Sequence, residues 1–228
     1  MPESFTPRLE ILPAPQRRLW DELVETPKEF APYGGTAIAL QLGHRESVDF
    51  DFFGSRPLDP DRLAPAIPFL AGATITQREP NTLSCIVDRG GPVKLSFFGV
   101  PNLPRLRPPL IAPDNGLQIA SLLDLSGAKA RVVQMRAEAR DYIDIDALLC
   151  DGRIDLPKAL ASACALYGVE FNPQITLKAL AYFGEGNLRG LPREMKDRLV
   201  QAARAVDLDR LPAIAAGDLS SREDRGAP

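Results

Sequence analysis

The chain has 228 residues, 45% of them apolar and 25% charged, enough to bury one large core or two small ones. Its formal net charge of −3 and pI of 5.4 exclude a dedicated nucleic-acid coat, which would be basic. A single histidine (His44) and three cysteines without a CxxC pair exclude histidine-rich zinc sites and a disulfide framework; unless His44 is the base, they also exclude Ser-His-Asp and Cys-His hydrolase sites.

The first residues, MPESFTPRLE, are polar and carry no apolar signal core. No window holds the ~20 apolar residues that span a bilayer. The longest apolar stretch, Ala64 to Thr74, is broken by Pro65, Pro68 and Gly72. A cytoplasmic protein with no membrane partner is expected, and Cys85, Cys150 and Cys164 read as small buried side chains.

Ala14 to Glu25 predicts a helix with Leu19, Trp20 and Leu23 on its inner face, ended by Pro27. Tyr33-Gly34-Gly35-Thr36 is a glycine turn that enters a short apolar helix, and Gly43 is placed to stop it. From Ser47 to Phe53, polar Ser47, Asp49 and Asp51 alternate with Val48, Phe50 and Phe52, the period of a strand with an apolar back. A proline-interrupted helix over Asp59 to Leu70 follows. Strands are expected over Ala73 to Glu79, Leu83 to Asp88 and Val93 to Gly99, the last two joined by a hairpin turn at Asp88 to Pro92. After a proline-rich connector, Pro101 to Pro113, the pattern turns helical: Ser121 to Glu138, Tyr142 to Leu149, Leu156 to Tyr167, Pro173 to Phe183 and Pro192 to Ala205. The expected plan is α+β, with an α/β core over residues 1–115, a helical domain over 116–216 and a flexible tail over 217–228.

The strand alternation has a chemical consequence. Carboxylates at i and i+2 share a face with their backbones roughly 6–7 Å apart, so Asp49 and Asp51 can hold divalent cations between them. Hard oxygen ligands that leave room for phosphates suit Mg²⁺, with Mn²⁺ as the alternative. Upstream, Gly34, Gly35 and Thr36 form a phosphate cradle at a helix start, and Arg45 can reach the same anion. Lys129, Arg136 and Arg140, at spacings of seven and four, read as one cationic helix face, with Asp141 beside it as an acid able to take a proton. Between Asn102 and Arg140 six Lys and Arg oppose three acids, a local excess that suits a phosphorylated ligand.

Three stretches together resemble the AbiEii/AbiGii toxin family of nucleotidyltransferases, relatives of the DNA polymerase β superfamily. They are Tyr33-Gly34-Gly35-Thr36-Ala37-Ile38-Ala39-Leu40, Arg45-Glu46-Ser47-Val48-Asp49-Phe50-Asp51-Phe52-Phe53, and the run from Lys129 to Arg140-Asp141-Tyr142-Ile143-Asp144-Ile145. The resemblance implies a polymerase-β-like core, a mixed sheet with flanking helices, followed by a helical C-terminal region. It implies that Asp49 and Asp51 bind metal, that Gly34, Gly35 and Ser47 lie by the nucleotide phosphates, that Lys129 contacts phosphate, and that Asp141 is base or completes the site. Many enzymes of the superfamily carry a third carboxylate on a later strand. Here Lys94, Ser96 and Phe98 share that strand's face, and none is an acid.

The leading expectation is Mg²⁺-dependent transfer of NMP from an NTP to RNA, as the toxin of a type IV toxin–antitoxin or phage-defence system with a cognate antitoxin. The acidic pI favours a protein or small-molecule acceptor as one alternative. The missing acid at Ser96 motivates another, an inactive NTP-binding module.

Overall fold

The computed structural model describes residues 3–214, so the tail expected over 217–228 lies outside the described residues. The described chain forms two compact units, residues 3–104 with 108–120 and residues 105–107 with 121–214. The first is the mixed α/β unit and the second is helical, which is the α+β plan that the resemblance implied.

In the first unit α1 (Ala14–Leu19) runs into a tighter 3₁₀ turn over Trp20–Glu25. Leu19, Trp20 and Leu23 are buried, the face expected from their spacing, and the Trp20 indole N–H donates to Asp114 Oδ2 at 2.8 Å. The strands are β1 (Phe30–Tyr33), β2 (Asp49–Gly54), β3 (Thr74–Glu79), β4 (Thr82–Asp88) and β5 (Pro92–Gly99). They pair in the order β1-β2-β5-β4-β3, with β2 and β5 parallel and every other pair antiparallel. The unit also holds helices α2 (Gly34–Leu42) and α3 (Pro60–Ala66) and a separate two-stranded sheet that pairs Leu110–Ile111 with Gln118–Ile119, and Gly43 ends α2 in the left-handed conformation.

Two features of this sheet differ from the sequence expectation. The strand expected from Ser47 begins at Asp49, and Val48 is 45% exposed instead of facing the core. The backbone there is held elsewhere: Ser47 N donates to the Ile11 carbonyl at 3.2 Å, and Gln16 Nε2 donates to the Val48 carbonyl at 3.0 Å. Strand β1 carried no alternation signal because all four of its residues are buried, and Pro32 sits in it. A proline is tolerated there because β1 is at the edge of the sheet.

The second unit contains α4 (Leu122–Met135), α5 (Ala139–Asp151), α6 (Leu156–Tyr167), α7 (Pro173–Leu180) and α8 (Arg193–Ala205). Tyr142, Leu160, Leu180 and Leu199 are among the side chains closing its core. Ser121 caps the start of α4 by accepting from the Asp124 N–H, and the Asp124 carboxylate accepts from the backbone N–H of Leu106 at 2.7 Å, which ties the 105–107 segment to this unit. Among the described residues no helix is long and apolar enough to cross a membrane. Of the cysteines only Cys85 is buried; Cys164 is half-buried and Cys150 exposed, so the expectation of three buried thiols fails at α5 and α6.

Candidate active site

The two faces of β2 are chemically opposite. Phe50 and Phe52 lie fully buried, and Phe52 stacks on Phe97 of β5 with ring centroids 4.8 Å apart. Asp49, Asp51 and Phe53 take the other face and are half-buried. Ring contacts mark which neighbours share it: Phe53 meets Phe98 at 4.9 Å and Tyr33 at 5.4 Å. In the ladder Asp51 lies between Tyr33 of β1 and Ser96 of β5, and Asp49 lies beside Lys94. The position flanking Asp51 is therefore a buried serine, whose hydroxyl accepts from Ser84 Oγ at 3.3 Å.

The glycine turn meets this face directly. Gly34 has φ +72°, and a Cβ built on it would stand 3.5 Å from Asp51 Oδ2. Any other residue would be strained by that φ, and its side chain would start in van der Waals contact with the carboxylate. Gly34 and Gly35 open α2, so their N–H groups belong to the free donors of a helix start.

Thr36 and Ser47 point inward instead. Both are buried, and Thr36 Oγ1 donates to the Asp49 carbonyl. That uses the only hydroxyl proton of Thr36, so Ser47 donates in the 2.6 Å contact between the two hydroxyls. Both residues were expected at the phosphates; the structure places them as a latch between α2 and the start of β2, setting the height of Asp49. Arg45 is half-buried and donates to the Glu46 carbonyl at 2.9 Å.

The helical unit holds the remaining candidates in a different arrangement from the one their spacing predicted. A single helix through Arg140 would have aligned Lys129, Arg136 and Arg140. Instead α4 stops at Met135, and Arg136 is extended with φ −153° and ψ 145°. A new helix starts at Ala139, whose N–H is capped by Asn187 Oδ1 at 2.6 Å, a partner 48 residues away that local sequence cannot reveal. The break folds α5 back along α4. Lys129 becomes buried and its ammonium donates to Asp141 Oδ1 at 2.5 Å and lies 2.8 Å from Asp144 Oδ2. Arg136 closes on the same carboxylate, with Nε 2.7 Å from Asp141 Oδ2 and Nη2 3.1 Å from Oδ1. Arg140 remains exposed.

Asp141 is fully buried with both oxygens engaged. Burial alone would raise its pKa, but the Arg136 hydrogen bond and the Lys129 charge more than reverse that and hold it below the ordinary carboxylate value. The clamp favours its charged form, which weighs against the first of the two roles the resemblance implied, base, and leaves the second, completing the site. The local cationic excess is also consumed internally, since Arg131 pairs with Glu170 at 3.2 Å while Lys129 and Arg136 face Asp141.

The profile of the AbiEii nucleotidyl transferase toxins, type IV toxin–antitoxin systems, matches residues 18–216. The chain belongs to this family. Its members' nucleotidyltransferase activity makes it an enzyme of that class. An uncharacterized Aquifex aeolicus protein is 30% identical over 158 residues, covering 68% of this chain and 74% of that one. The mycobacterial MenT4, a nucleotidyltransferase toxin of Mycobacterium tuberculosis H37Rv, shares the fold with a TM-score of 0.58 at 14% identity, covering 83% of each chain. A crystal structure from H. pylori, assigned as a nucleotidyltransferase, does so with a TM-score of 0.50 at 18% identity, over 83% of this chain and 90% of that one.

Within this AbiEii-family chain two residues of interest escaped assignment from sequence. Asp144 is the second acid on Lys129, and its signal was present as an i, i+3 pair with Asp141 on one helix. Lys94 lies beside Asp49, visible only once β5 is known to pair with β2 in this register.

Proposed function

We propose that the Asp49–Asp51 face is the catalytic face of a Mg²⁺-dependent enzyme that moves NMP from an NTP to the end of an RNA, acting as the toxin of a toxin–antitoxin pair. The observation that carries this reading is the half-exposed carboxylate pair set against Gly34 at the start of α2. Its donors are hard oxygens, and no group of three or more His, Cys, Asp or Glu forms among the described residues. That set fits an ion that takes most of its ligands from phosphates and water, as Mg²⁺ does, and does not fit a closed zinc site. When bound, the ion would neutralise phosphate charge and polarise the group transferred.

The chain's own residues do the rest. The open backbone at Gly34 and Gly35 binds phosphate oxygens through N–H groups. Thr36 and Ser47 fix Asp49 so that the pair does not drift as charge develops. Asp141 and Asp144 hold Lys129, and Asp141 orients Arg136, so their role is positioning and not proton transfer.

Net acidity favours an acceptor that presents one end over a duplex wrapped along its length. The internal pairing of Lys129, Arg131 and Arg136 favours the second reading, a protein or small-molecule acceptor. One experiment separates them: the protein, each labelled NTP in turn, Mg²⁺, total tRNA and a soluble lysate. Label on RNA is expected, reduced roughly 10²–10³-fold in Asp49→Asn. Label that survives RNase on protein bands moves the acceptor to protein. No transfer at all, or transfer equal in Asp49→Asn, overturns the reading.

A further inference from the structure

Lys94 is exposed on β5 and has Asp49 as its register partner across the parallel β2–β5 pair. The shared face is secured four residues along the ladder, where Phe53 and Phe98 are in ring contact at 4.9 Å. On its other side Lys94 is paired with Ile86 of β4, so its neighbours across the ladder are one acid and one apolar residue. No hydrogen bond or ion pair engages it among the described residues. Neighbouring strands lie ~4.8 Å apart, and a lysine stem is longer than that, so the ammonium has the reach to work above the carboxylates without leaving the face.

A lysine ammonium tethered beside a carboxylate pair has two effects of opposite sign. It repels a second divalent ion that the two carboxylates would otherwise attract. It attracts the phosphate oxygens that arrive with the first. Ser96, the next residue of β5 on this face and the register partner of Asp51, adds no charge. Resting on the nucleotidyl-transfer reading of this face, we propose that Lys94 is a triphosphate-binding residue that takes the place of a second metal ion, so that Asp49 and Asp51 load a single divalent cation.

The test uses binding and not turnover. Mn²⁺ is titrated into nucleotide-free protein by electron paramagnetic resonance, and each NTP is titrated by calorimetry in Mg²⁺, for wild type, Lys94→Met, Lys94→Arg and Asp49→Asn. Wild type is expected to bind a single Mn²⁺ that Asp49→Asn loses. Lys94→Met is expected to bind Mn²⁺ roughly three- to tenfold more tightly and the accepted NTP about tenfold more weakly, with Lys94→Arg restoring NTP affinity. A general disturbance of the fold would weaken both ligands together. Two Mn²⁺ ions on wild type, or Lys94→Met shifts of the same sign for both ligands, overturn the inference. Wild type that binds both ligands alongside an indistinguishable Lys94→Met sinks this inference alone. Wild type that binds neither ligand removes the nucleotidyl-transfer reading beneath it as well.

Discussion

Asp49 and Asp51 on β2, and Asp141 and Asp144 on α5, are two pairs of carboxylates in opposite surroundings. The first pair is half-exposed on a sheet face, with a lone exposed lysine beside Asp49. The second pair is fully buried and clamped on a buried lysine, with an arginine closing one side. The first pair is only partly withdrawn from solvent, so a ligand can reach it. In the second the charge is consumed by the fold, because a desolvated carboxylate persists only with its partners in place. Function and stability should therefore come apart in the sheet unit and stay entangled in the helical one.

Lys129→Met is the severest way to break the comparison. It leaves two buried carboxylates without their shared cation and should cost about 3–5 kcal/mol, lowering Tm by roughly 10 °C. Asp49→Asn should leave Tm within ~2 °C, since a half-exposed acid is replaced by an isosteric amide. Differential scanning calorimetry of both variants reads this directly. Adding Asp141→Asn and Asp144→Asn to Lys129→Met should recover much of the loss, because the uncompensated charges go with the cation. No recovery would mean that packing of the Lys129 stem, and not charge, is what holds α4 to α5.

A smaller effect is expected where the sheet unit has its own buried polar contact. Thr36→Val removes the hydroxyl that both Ser47 and the Asp49 carbonyl use. The two groups left unpaired should cost about 1–3 kcal/mol. Because the latch sets Asp49, kcat should fall with it, while Thr36→Ser keeps both stability and turnover. If Thr36→Val lowers only NTP affinity, the hydroxyl serves phosphate, as its place in the sequence suggested, and the latch assignment fails.

What could be read in advance follows the range of the interactions. The alternation of Asp49, Phe50, Asp51 and Phe52 is local, and so are the glycine turn and Gly43, so the carboxylate face and the helix that meets it were legible. The pairing that brings Lys94 to Asp49 joins residues 45 positions apart through β3 and β4, and the pattern of neither strand contains it. A break between helices was expected after Glu138, but it comes earlier, after Met135, and the cap of the next helix, Asn187, arrives from beyond α7, where local sequence cannot show it. That break turned an expected cationic helix face into a buried ion cluster. The carboxylates that neutralise it, Asp141 and Asp144, lie just past Arg140, where the charge count ended.

The two units should also answer pH from opposite ends. Asp141 has a lowered pKa when folded, so the unfolded chain binds its proton first as pH falls. Its contribution is present above the ordinary aspartate value of ~3.9 and is lost as pH drops toward the lower folded one. In the sheet unit Cys85 is driven the other way, burial pushing its thiol up to about 11. Unfolding above the ordinary thiol value of ~8.5 therefore releases a proton that the folded state keeps, and stability falls as pH rises toward about 11. Thermal melts across pH should show an acid limb that shallows in Asp141→Asn and an alkaline limb that shallows in Cys85→Ala. Tyr142, whose phenol burial pushes up to about 12, carries the helical unit's own loss at still higher pH. The alkaline limb of Cys85→Ala should thus be displaced upward and not abolished; complete loss of it would mean that the phenol titrates only after the helical unit has already opened.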